Sequence, residues 1–170
     1  LDKKQKDIGK DAVQEFKKDP SDESKTFPKN FSTNKSLEIV EITNSSPSLE
    51  EIKKLINVWL KSKSNYLEGE SEINLTKVVS SGLIDRTIEE RQNDIKKGIF
   101  KEIKSEIRKI DLESQSSSRI VVLVELNYLE RIIKNSGDLV NETSLTPLKV
   151  RYILGFSNKS WKLVDFVSGL

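Results

Sequence analysis

Near the end of this chain stand a phenol and a carboxylate, Tyr152 and Asp165, with a guanidinium, Arg151, next to the phenol. A tyrosine and an aspartate held together across two strands can move a proton to and from a substrate carbonyl. The planar fork of an arginine matches a carboxylate. The two tryptophans, Trp59 and Trp161, complete the candidate set, because aromatic walls bury the apolar part of a ligand. Lys149 and Lys162 are further cations close to Arg151.

What the chain lacks narrows the chemistry. With no His and no Cys, it has neither a Ser-His-Asp nor a Cys-His nucleophile system, and no imidazole or thiolate to hold zinc or iron. No acidic loop has calcium-binding spacing, so neither a metal nor a cofactor is expected. The 29 basic and 27 acidic residues leave a net charge of +2 and are interleaved, as in Glu50, Glu51, Lys53 and Lys54. Such a pattern reads as solvated faces rather than a nucleic-acid stripe. There is no Met, even at position 1, which is expected of a piece of a longer protein or a processed product. The longest apolar run, Ile120 to Val124, cannot span a bilayer, so any membrane anchor is expected outside this chain.

The elements that must position the candidates are written in the spacing of apolar residues. Ser48 and Glu51 form a capping box, and Leu49, Ile52, Leu55, Ile56, Trp59 and Leu60 then fall on one helical face up to about Tyr66, with Gly69 as the stop. A short helix is expected from Asn74 to Val79 and another from about Ile84 to Lys97, closed by Gly82 and Gly98. Ile99 to Glu113 fits a helix by Ile103, Ile107 and Ile110, while its end reads as a strand. Arg119 to Leu129 is an almost continuous apolar strand of the kind covered on both faces. Asn135 to Leu145 reads as a polar loop, and Leu148–Phe156 and Trp161–Val167 as a closing hairpin.

If Asn158 and Lys159 are the central residues of its turn, Phe156 pairs with Trp161, Leu154 with Leu163 and Tyr152 with Asp165. Arg151, Ile153, Lys162, Val164 and Phe166 then share the other face. Leu1 to Ser36, rich in Lys, Asp and Ser, reads as a polar linker or tail, with Phe27 and Phe31 as its exceptions, and Leu37 to Thr43 as an edge strand opening a domain of residues 37–170. Helices first and strands after them predict an α+β fold, with N-terminal helices packed on a curved antiparallel sheet in a cone-like shape.

Three segments carry a resemblance: LINVWLKSKSNYLEG at Leu55–Gly69, SGLIDRTIEERQNDIKKG at Ser81–Gly98 and LKVRYILGFSNKSWKLVDF at Leu148–Phe166. In this order they resemble the C-terminal intermembrane-space domain of the plastid and cyanobacterial division proteins that carry an N-terminal J-like domain. The resemblance runs from about Ser48 to Leu170 and implies a nuclear-transport-factor-like cone. It implies a non-enzymatic interaction domain of a membrane-anchored division protein, on the periplasmic or intermembrane-space side, across the membrane from the FtsZ ring. The implied partner is a division protein or its peptide tail, with self-association left open. The expected pocket is formed by Trp59, Arg151, Tyr152 and Trp161. Ile88 and Arg91 stand where members of this family often carry another Trp. The alternative is a small-ligand-binding or acid–base enzyme domain of the cone fold, using Tyr152 and Asp165.

Overall fold

The computed structural model describes residues 39–44 and 46–169. The expectations for Leu1 to Ser36, for Phe27 and Phe31, and for the boundary before Leu37 lie outside the described residues.

The capping box forms as the sequence reads. Ser48 Oγ accepts from the Glu51 amide at 3.2 Å, and the Glu51 carboxylate accepts from the Ser48 amide at 2.8 Å. It starts helix α1, Leu49–Glu68, which buries Ile52, Leu55, Ile56 and Trp59. Gly69 ends it at φ 142°, a conformation that side chains resist, and its amide bonds back to Asn65 and Tyr66. Arg91 adds a second closure, donating to the last-turn carbonyls of Tyr66 and Leu67, the latter at 3.0 Å. Arg91 thus completes the end of a helix, while Ile88 packs against the core.

The short helix expected at Asn74–Val79 does not form. Leu75, Val78 and Val79 have helical spacing, but the chain turns there, and Val79 makes a parallel bridge to Leu163. Helix α2 follows at Ser81–Lys96. Four strands come next: β1 Ile99–Gln115, β2 Arg119–Lys134, β3 Leu139–Ser157 and β4 Ser160–Ser168. Ile99–Glu113 is therefore strand throughout. The polar loop expected at Asn135–Leu145 shrinks to a turn around Gly137, because Leu139–Leu145 pairs with β2.

The sheet is an antiparallel meander in the order β1-β2-β3-β4. This corrects the cone-like, nuclear-transport-factor-like expectation: the sheet is open, neither curled nor closed. A physical reason lies at β4, whose outer side is already taken. Trp161 N donates to the Ile42 carbonyl, Leu163 N to that of Val78, and Ser80 N to that of Leu163, at 2.9, 2.8 and 2.9 Å. The helices, Ile120, Val122, Val124 and Leu126 of β2, and Val150, Tyr152 and Leu154 of β3 build one core. On the opposite face of β2, Val121 is buried but Leu123 is only half-buried, so the full two-sided cover expected of this strand is not reached. Among the described residues, no helix is long and apolar enough to cross a membrane.

Candidate partner-binding groove

Of the four residues expected to form a pocket, the structure brings two together. Trp59 of α1 and Tyr152 of β3, 1% and 2% exposed, border one small cavity of about 100 Å³ with Leu60, Lys63, Tyr128 and Phe166. The Phe166 ring lies 6.0 Å from that of Tyr152, and the Lys63 ammonium stands 5.5 Å above Phe166. Burial pushes the Tyr152 hydroxyl well above its ordinary range, so it stays protonated.

Arg151 and Trp161 lie elsewhere. Arg151, next to Tyr152 on β3, points to the opposite face, where its guanidinium grips Glu113 of β1 through Nε and Nη2. That hydrogen bond holds the Glu113 carboxyl below its usual range. Trp161 is fully buried near the β3–β4 turn, its indole N–H donating to the Asn44 carbonyl at 2.8 Å and its ring 5.2 Å from Phe156.

The acid–base pair is not assembled. The turn is as expected, with Asn158 and Lys159 at φ 52° and 65°, and Phe156 faces Trp161 and Leu154 faces Leu163. A bulge at Val164 then shifts the ladder, so that Ile153 faces Asp165 and Tyr152 faces Phe166. Phe166 joins the core face, and Asp165 takes a hydrogen bond from Arg86 of α2 at 2.6 Å. Arg86 keeps the Asp165 carboxyl below its usual range and therefore ionised. This corrects both the Tyr152–Asp165 pairing and the face assigned to Phe166.

A larger feature was not among the expectations. A groove of about 980 Å³ runs along α1, with Leu55, Val58 and Leu60 of the helix, Ile103 of β1, and Ile39 and Val40 as its apolar lining. This is near the upper end of the range for ligand sites, roughly 300–1,000 Å³, which the inner cavity does not reach. Leu60, Ser64 and Ile103 border both spaces, and Ser64 Oγ donates to the Ile103 carbonyl in this dividing wall. Three lysines, Lys54, Lys61 and Lys104, stand at the groove, and none has an ion-pair partner among the described residues. Of its two carboxylates, Glu51 is engaged internally, accepting from Ser48 and Asn44, and Glu68 stands 2.9 Å from Ser64 Oγ, whose one proton goes to Ile103. The signal available in the sequence was the helical spacing of Lys54, Val58, Lys61, Asn65 and Glu68, which places one apolar residue on a polar stripe of α1.

Beside this site, Glu90 of α2 bonds Lys101 at 2.6 Å and Lys63 at 3.1 Å, and Asp94 lies 3.4 Å from Lys101. Among the described residues, no three acidic side chains gather as metal ligands.

The comparisons with known proteins agree with this architecture. The crystal structure of the intermembrane space region of the chloroplast protein ARC6 is similar, with a TM-score of 0.58 and 13% identity over 72% of this chain and 97% of that chain. At that identity the likeness shows the fold. A search of curated proteins finds no match. The family described as ARC6-like, IMS domain, matches residues 52–164, well over half of the chain. The chain therefore belongs to the ARC6-like IMS domain family, and with it to the periplasmic or intermembrane-space side of a membrane-anchored protein, as the resemblance implied.

Proposed function

We propose that this is a non-enzymatic protein-interaction domain of a membrane-anchored, division-related protein, and that it binds an extended segment of a partner in the groove along α1. The observation that carries the reading is the groove itself: an apolar floor with three lysines whose charge no described acid pairs. Apolar side chains of the segment cover Leu55, Val58 and Leu60, and its carboxylates meet Lys54, Lys61 and Lys104. The Trp59–Tyr152 cavity lies behind the Ser64–Ile103 wall as a deeper space for one small group. The partner is a division protein, most plainly through its tail, on the side of the membrane away from the FtsZ ring. Arg151 is committed to Glu113 and stays outside the contact.

The test titrates candidate division-protein tails, with free and with amidated C-termini, against the wild type, Val58→Asp and Arg151→Ala. The expected result is binding that Val58→Asp weakens strongly and Arg151→Ala leaves unchanged. Equal affinity of the wild type and Val58→Asp overturns the groove as the site. Weaker binding of the amidated tails alone assigns the lysines to the terminal carboxylate.

A further inference from the structure

The small cavity behind α1 holds a polar group that the fold itself does not use. Tyr152 is buried, and its hydroxyl has no hydrogen-bond partner among the described residues. A buried hydroxyl without a partner opposes folding, whereas a phenylalanine of the same shape would not. Burial keeps this hydroxyl a neutral O–H donor. Other polar groups at the cavity are already engaged: Tyr128 donates to Glu130 at 2.8 Å, Ser64 donates to the Ile103 carbonyl, and Lys63 is paired with Glu90 at 3.1 Å. Tyr152 is thus the uncommitted buried donor of this space.

The walls set the size and the charge of what fits. The rings of Trp59, Tyr128, Tyr152 and Phe166 border about 100 Å³. That is less than the roughly 150 Å³ in which an engineered apolar cavity takes benzene. The cavity is not sealed, since Leu60 and Lys63 at its border are only half-buried and Ser168 is exposed. A single six-membered ring therefore enters with part of its edge left at this mouth. A cation is opposed by Lys63 and Arg86, whose charged groups already stand 5.5 and 5.9 Å from the centre of the Phe166 ring. An anion would lose its hydration among aromatic walls and would meet the Glu130 carboxylate beside the Tyr128 hydroxyl.

We propose that this cavity is a binding site for a small neutral ring bearing one hydroxyl, of the phenol class, whose oxygen accepts the Tyr152 O–H. A ring without that oxygen leaves the donor unpaired, so the hydroxyl is what selects. The inference deepens the proposed function by giving a chemistry to the small group behind the Ser64–Ile103 wall. It rests on that reading only for the source of the ring, which is either a free small molecule or a tyrosine side chain of the partner segment.

Amide and indole NMR spectra of the 170-residue chain are followed as phenol, toluene and N-acetyltyrosinamide are titrated into the wild type, Tyr152→Phe and Val58→Asp. The indole N–H of Trp59 reports the cavity, and that of Trp161, bonded to the Asn44 carbonyl, reports the core elsewhere. The expected result is that phenol moves the Trp59 signal and leaves that of Trp161 in place. Phenol is expected to bind the wild type about two- to tenfold more tightly than toluene, a preference that Tyr152→Phe abolishes. Tyr152→Phe is expected to melt no lower than the wild type, because it removes no hydrogen bond within the described residues. Val58→Asp, in the groove, is expected to keep the phenol response, so failure of the groove reading and failure of this site are told apart. A Trp59 signal that no probe moves overturns the proposal, as does equal binding of phenol and toluene by the wild type, or a preference that survives in Tyr152→Phe. With the site upheld, binding of N-acetyltyrosinamide assigns the ring to a partner's tyrosine, and binding of phenol without it assigns the ring to a free molecule.

Discussion

Glu90 sits between two ammonium groups, those of Lys63 and Lys101, in a partly buried corner between α1, α2 and β1. Burial alone would raise its carboxyl, but the two lysines outweigh it and hold the group below its usual range. Burial likewise opposes the charge on Lys101, and Glu90 and Asp94 raise it above its usual value. The stabilisation from Glu90 is therefore present above the ordinary carboxylate range and is lost as pH falls through the depressed value. That from Lys101 is lost only as pH rises through its raised value. Urea unfolding over a pH series is expected to show stability falling on the acid side, and Glu90→Gln to be less stable at neutral pH with a flatter acid limb. Trp59, 1% exposed, is expected to cost about 3–5 kcal/mol when replaced by Ala. Arg151→Ala, at an exposed pair, is expected to change the melting temperature little, and the two melts measured together check both statements. Trp59, Tyr152 and Trp161 were legible as large aromatic residues of a folded unit. Their convergence was not, because Trp59 and Trp161 serve different ends of the core and Arg151 is turned away by the two-residue period of its strand.

At the scale of the element, the capping box and the Asn158–Lys159 turn were readable because each is a local rule satisfied by adjacent residues. Ser48→Ala is expected to cost about 0.5–2 kcal/mol in chemical unfolding, through loss of the cap on α1. Leu75, Val78 and Val79 misled because their spacing suits a helix, whereas the amide and carbonyl partners on β4 that fix the chain as a turn and bridge are distant in sequence. Leu139–Leu145 misled in the opposite sense: its polar composition suits a loop, but the ladder to β2 sets its conformation. The bulge at Val164 had no sequence mark, and it decides which residues face Tyr152. Its close neighbour is Gly155, where an added Cβ would stand 3.1 Å from Val164 Cγ1. Gly155→Ala is accordingly expected to destabilise the hairpin, and Val164→Ala to relieve part of that loss. A double-mutant cycle on unfolding free energies checks the coupling, and strict additivity would show that the contact is accommodated without strain.

For the whole molecule, order and class were legible from helices preceding strands, but shape was not. Whether a sheet closes depends on what its two outer strands meet, and here Ile42 and Val78–Ser80 occupy the side of β4 that closure would need. We propose that the polar residues 1–36 add little to the stability of this unit. A chain beginning at Leu37 is expected to melt within a few degrees of the full chain in calorimetry, and a collapsed transition would show that Phe27 and Phe31 contribute to the core. The seam on β4 also bears on how the domain is made. Trp161 is bonded through its indole to Asn44, 117 residues earlier in the chain, so this contact closes a very long loop. On a ribosome, α1, α2 and most of the sheet emerge before β4 exists, and throughout that interval Ile42 and Val79 lack the strand they bridge. The nascent domain therefore passes through a stage with β3 open along its whole outer side and the core uncovered at Leu154, a stage at which chaperone capture or pairing with a neighbouring nascent chain competes with completion of the native edge.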